Sequence, residues 1–62
     1  MNSYITKHGR TLEVRISYDN GETKDYEFTV RTKHEHGEDI ELIGIYTLRS
    51  PDYFINKFIE EN

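Results

Sequence analysis

The chain contains no cysteine and no tryptophan, and its only proline is Pro51. Without cysteine there is no disulfide framework and no thiolate metal site; the lack fits a cytoplasmic protein without requiring one. Small domains commonly gain stability from disulfides, a metal or a partner subunit, so removing the first raises the weight of oligomerisation. No apolar run approaches the ~18 residues of a membrane span. The segment Met1-Asn2-Ser3-Tyr4-Ile5-Thr6-Lys7 lacks the apolar core of a signal peptide, and a cytoplasmic domain without membrane contact is expected. Positive charge is also in short supply. Eight Lys and Arg face twelve Asp and Glu, for a net charge of −4 and a pI near 5.2. The two signs are interspersed, which argues against a large nucleic-acid patch and is too mild for a DNA mimic. The glycines number four, and none forms a glycine-rich loop entering a helix, so no phosphate cradle and no cofactor is expected.

Sixty-two residues make a single domain, 1–62, that buries only ~60% of its unfolded surface. Within it, Thr11 to Tyr18 alternates, with Leu12, Val14, Ile16 and Tyr18 on one face and Thr11, Glu13, Arg15 and Ser17 on the other. Thr23 to Arg31 does the same, with Tyr26, Phe28 and Val30 opposite Asp25, Glu27, Thr29 and Arg31. Both read as half-buried strands. A two-residue Asn20-Gly21 turn would set apolar residues against acidic ones, because a one-residue slip turns every side chain over. A three-residue loop, Asp19-Asn20-Gly21, avoids this with Gly21 in a left-handed bulge position. It predicts Ile16 against Lys24, Val14 against Tyr26 and Leu12 against Phe28. A second three-residue loop, Glu35-His36-Gly37, predicts Thr32 against Ile40, Val30 against Leu42, Phe28 against Gly44 and Tyr26 against Tyr46. An aromatic ring over a cross-strand glycine covers bare backbone.

Upstream, Tyr4 to His8 reads as a short edge strand turned at Gly9, with Ile5 on the apolar side against Leu12 or Val14. Downstream, Ser50-Pro51-Asp52 opens a helix: Ser caps, Pro suits the first position, and Asp complements the dipole. Phe54, Ile55, Phe58 and Ile59 form its apolar stripe, and Glu60 and Glu61 at the negative end predict a frayed tail. The expected fold is α+β: a four-stranded antiparallel meander with one C-terminal helix packed on its apolar face.

Candidate chemistry is sparse. His34 and His36, with Glu35, Glu38 and Asp39, have the residue types of a metal site, but zinc needs three or four ligands converging at ~2.0–2.2 Å. Charged residues at a hairpin tip are ordinarily solvated, so no metal is expected there. Ser3, Ser17 and Ser50 lack an adjacent base, and so small a chain has little room for a water-excluding pocket. No enzyme is expected. The polar sheet face carries Tyr4, Arg15, Arg31 and Arg49, loosely like the stacking platforms that bind nucleic acid. Glu13, Asp25, Glu27 and Glu41 share that face, which makes nucleic acid the second choice.

The segment Ile40 to Arg49 is different, because both its faces are apolar. Ile40, Leu42 and Leu48 are expected inward, with Ile43 and Ile45 outward. Either Gly44 marks a bulge that returns Ile45 to the core, or this long apolar edge is an interface. Burying Ile43 and Ile45 in both halves of a dimer yields ~6–12 kcal/mol gross, against ~4–15 kcal/mol for association, so further contacts from Tyr46, Tyr4 or the backbone are required. The expectation is a non-enzymatic protein-interaction module, homodimeric through residues 40–49. By analogy of size and composition alone, such a chain acts by occlusion, as small inhibitors and phage-type accessory factors do.

Overall fold

The computed structural model describes residues 2–62. It has the expected order: β1 (Asn2–Ile5), β2 (Thr11–Asp19), β3 (Lys24–His34), β4 (Gly37–Leu48) and α1 (Asp52–Glu61). The four strands form one antiparallel sheet in chain order, β1-β2-β3-β4. β1 and β4 are its edges.

All three connections differ from their expected geometry, and two bulges compensate. Between β2 and β3 the last pair is Asp19 with Lys24, which leaves four residues in the loop. Their amides are satisfied locally: Gly21, at φ 96, donates to Asp19 Oδ1 at 2.8 Å, and Thr23 donates to Asn20 Oδ1 at 2.8 Å. A loop of this length reverses parity. A bulge between Ile16 and Tyr18 reverses it again, and the strands pair as Leu12–Val30, Val14–Phe28 and Ile16–Tyr26. This register is two residues from the expected one, so the faces survive while the partners change. Tyr18, expected on the apolar face, lies beyond the bulge opposite Asp25 and is 61% exposed.

The β1–β2 connection spans residues 6–10. Thr6 is buried; its amide donates to the Arg10 carbonyl at 2.8 Å and its Oγ1 accepts from the Arg10 amide at 2.9 Å. This loop is wider than a two-residue turn at Gly9. It sets Tyr4 against Leu12 and Ile5 against Thr11, which corrects two expectations. Tyr4 packs against the core, and Ile5 is 73% exposed.

In the β3–β4 hairpin His34 pairs with Gly37, so the turn is Glu35-His36, one residue shorter than expected. Gly37 has φ 143, a conformation that disfavours any side chain. The parity error persists along the ribbon until a bulge opposite Phe28 and Thr29, where Ile43 is the extra residue. Past that point the expected pairs return, Phe28 with Gly44 and Tyr26 with Tyr46.

The core is Leu12, Val14, Tyr26, Phe28 and Val30 from the sheet, with Ile55 and Phe58 from α1. The helix begins one residue later than expected: Pro51 is the N-cap residue and, among the described residues, no side chain caps the helix. Ser50 Oγ makes only a long contact with the Asp52 amide at 3.4 Å, while Ile55 donates to the Pro51 carbonyl at 2.9 Å. The helix runs to Glu61, where the Asn62 amide and side chain both donate to the Phe58 carbonyl, at 3.1 and 2.9 Å. The Lys7 amide donates to the Ile59 carbonyl at 2.9 Å and fastens the helix end to the first loop. Four rings join helix to sheet. Phe58 meets Phe28 edge-on at 5.1 Å, and Tyr46 stacks on Phe54 at 4.8 Å.

Tyr46 lies across Gly44, where an added Cβ would fall 3.0 Å from its ring. Gly44→Ala is therefore expected to destabilise the fold by about 1–3 kcal/mol through overpacking. Urea denaturation in a double-mutant cycle with Tyr46→Ala checks the cause: the penalty should largely disappear without the ring, and an equal penalty in both backgrounds would place it elsewhere.

Candidate functional site: the free edge and outer face of β4

The bulge at Ile43 divides β4 into two halves that obey opposite alternation. On the turn side, Ile40 faces Arg31 and Leu42 faces Thr29, residues of the outer face that the helix does not cover. Past the bulge, Ile45 faces Glu27, again outward. The result is a row of three aliphatic side chains, Ile40, Leu42 and Ile45, exposed by 57, 58 and 54%. They line a twelve-residue edge strand.

Of the expected interface residues, Ile45 alone takes the expected place. Ile43 turns inward and packs against the core, because the bulge places it beside Gly44 on the helix side. Tyr46 and Tyr4 also pack against the core. Ile40 and Leu42, expected inward, point out. Glu41, expected on the polar face, lies opposite Val30 on the core side. The apolar residues at both parities of β4 were legible, but the two-residue turn and the extra residue at Ile43 decide which of them face out.

The rest of the outer face is a charge network. Arg15 pairs with Glu27, and Arg31 bridges Glu13 at 3.0 Å and Glu38. Hydrogen bonds to Glu13 and Glu38 raise the Arg31 pKa above its ordinary value. Two of the three arginines assigned to nucleic acid are thus already engaged by carboxylates; Arg49 lies just past β4 and is exposed. A shallow depression of about 210 Å³ on this face is lined by Glu13, Arg15, Glu27 and Thr29. A second, about 270 Å³, lies by Ile16, Tyr26 and Pro51. At the hairpin tip His34 Nε2 approaches Asp39 Oδ2 at 3.6 Å, and among the described residues no three His, Asp or Glu converge as a metal site. No helix of the described residues is long and apolar enough to cross a membrane.

No protein family matches the chain, and neither a curated protein nor a solved structure resembles it significantly.

The two isoleucines flanking Gly44 report on this geometry. Ile43→Ala is expected to cost about 1–3 kcal/mol, the penalty of opening a partly filled core position, and Ile45→Ala about 0.5 kcal/mol or less, as for an exposed site. Chemical denaturation of both variants at low protein concentration measures this. Equal penalties would show that the bulge does not sort them.

Proposed function

We propose that the protein is a non-catalytic interaction module that associates with protein through the free edge of β4, acts by occupying a surface, and is itself a homodimer. The observation that carries this reading is the exposed row Ile40, Leu42 and Ile45 along an unpaired strand of twelve residues. Long apolar edges template strand pairing, and natural sheets ordinarily blunt them with charge, proline or brevity. Among the described residues β1, the other edge, spans four. β4 carries Glu38, Asp39 and Glu41 and a bulge at Ile43 but no proline, and its outward aliphatic residues are its least protected part.

Adding a strand to this edge serves both kinds of unsatisfied group. Main-chain donors and acceptors find partners, while alternate side chains meet across the seam. Packing another sheet face to face on the outer surface is the poorer alternative, since it would strip water from the paired Arg15, Glu27, Arg31 and Glu13. Cross-strand side-chain pairs contribute ~0.2–1 kcal/mol each, and each new hydrogen bond ~0.5–1.5 kcal/mol net. Association costs ~4–15 kcal/mol. The two sides nearly balance when the whole edge is used, which makes the association reversible and dependent on concentration.

Leu42→Lys with Ile45→Lys is the direct test. Both positions are exposed in the single chain, so the variant should keep the wild-type far-ultraviolet circular dichroism. Sedimentation from micromolar to millimolar concentration should show the wild type dimerising and the variant remaining monomeric. A wild type that stays monomeric throughout would overturn the homodimer, and a variant that still associates would place the contact off this edge.

A further inference from the structure

We infer that β4 docks on the β4 of a second copy, antiparallel, about a two-fold axis passing between Ile43 and Gly44. This rests on the edge-binding reading above and specifies its partner and register. A regularly alternating strand pairs with its own copy only about an axis through a residue, because an axis between residues sets opposite faces together. The bulge inverts that rule for β4. Ile43 and Gly44 both lie on the helix side, with Leu42 and Ile45 flanking them on the outer face.

An axis between the two central residues places Leu42 opposite the partner's Ile45 and Ile40 opposite the partner's Thr47. Glu38 then meets the partner's Arg49. On the helix side, Glu41 meets the partner's Tyr46 and Asp39 meets the partner's Leu48. Every pair joins like faces. An axis through Ile43 would instead set outward Leu42 against inward Gly44 and outward Ile40 against inward Tyr46. Shifting the axis to Gly44 sets Leu42 against Tyr46, with the same fault.

Two further features select a copy of the same chain. A regular strand offers one residue where β4 inserts two, as β3 does with Phe28, whereas an antiparallel copy presents the same two-residue interruption at the same place. Charge also selects the direction. The acids Glu38, Asp39 and Glu41 occupy one half of the edge, and Arg49 follows the other. Antiparallel docking brings each acidic half to the partner's acid-free half, while parallel docking would stack acid on acid. Among the described residues the other edge, β1, spans four residues against twelve for β4. The product is a continuous eight-stranded sheet with both helices on one side.

The absence of native cysteine makes the register directly measurable. In Ile40→Cys/Thr47→Cys the two thiols of one chain are ~23 Å apart along the strand, too far to join each other. A short bis-thiol-reactive reagent should convert this variant into a covalent dimer with two symmetric links. Ile40→Cys/Ile45→Cys, which places its thiols out of register, should react at least about tenfold more slowly. Sedimentation of the wild type runs alongside. Preferential linking of the second variant, with a dimeric wild type, would overturn the register and leave the edge reading standing. Linking of neither variant, with a monomeric wild type at millimolar concentration, would overturn both.

Discussion

Phe28 is wholly buried and lies opposite Gly44, with Ile43 inserted beside it as an extra residue of β4. Strand alternation permits each residue only one of two faces, so this insertion sets the orientation of everything on either side. It sends Ile43 into the core and gives Tyr46 an open glycine to lie across. The ring of Tyr46 can then stack on Phe54, and Phe58 can reach Phe28. On the turn side it leaves Ile40 and Leu42 on the face the helix does not cover. The aromatic joint that holds the helix and the aliphatic row that faces water share one cause.

Much of the architecture was legible from alternation and helix signals. The four strands, their order, the C-terminal helix and the pairs Phe28–Gly44 and Tyr26–Tyr46 all follow from local pattern. The bulges do not. An insertion costs little locally and leaves no distinctive residue at Ser17, and the glycine beside Ile43 does not say which neighbour is the extra one, so parity carried from a turn fails past either bulge. The wrong lengths of the two loops flanking β3 were each compensated by a bulge, which is why the core faces of β2 and β3 came out correctly despite shifted partners. The β1–β2 loop has no such bulge among the described residues, and Ile5 changed face. Ile40 and Leu42 lay between the misjudged turn and the bulge and therefore had their faces exchanged. At the N-terminus the error was a different one: the five-residue loop is organised by the buried hydroxyl of Thr6, a tertiary requirement that a glycine-based turn rule does not contain.

The candidate surface was drawn from an excess of apolar residues in one strand, and the exposed members of that strand differ from those expected. Ile45 remains, and Ile40 and Leu42 replace Ile43, Tyr46 and Tyr4. An excess of this kind has a count but no address, because the sequence shows how many side chains exceed one face and the bulge decides which. The outer face beside the row is occupied by Arg–Glu pairs. Within β4 the exposed aliphatic row lies along the edge, where the backbone also lacks partners, while Ile5, Ile16, Tyr18 and Tyr53 are exposed singly elsewhere.

The claim at the centre of this account is that β4 presents a self-complementary edge. Amide chemical shifts of the isotopically labelled chain, followed on dilution from millimolar to micromolar concentration, test it most directly. The account predicts concentration-dependent shifts concentrated at residues 38–49, centred on Ile43 and Gly44, with α1 and β1 unmoved. Shifts that are independent of concentration, or that cluster on α1 or β1, would contradict it.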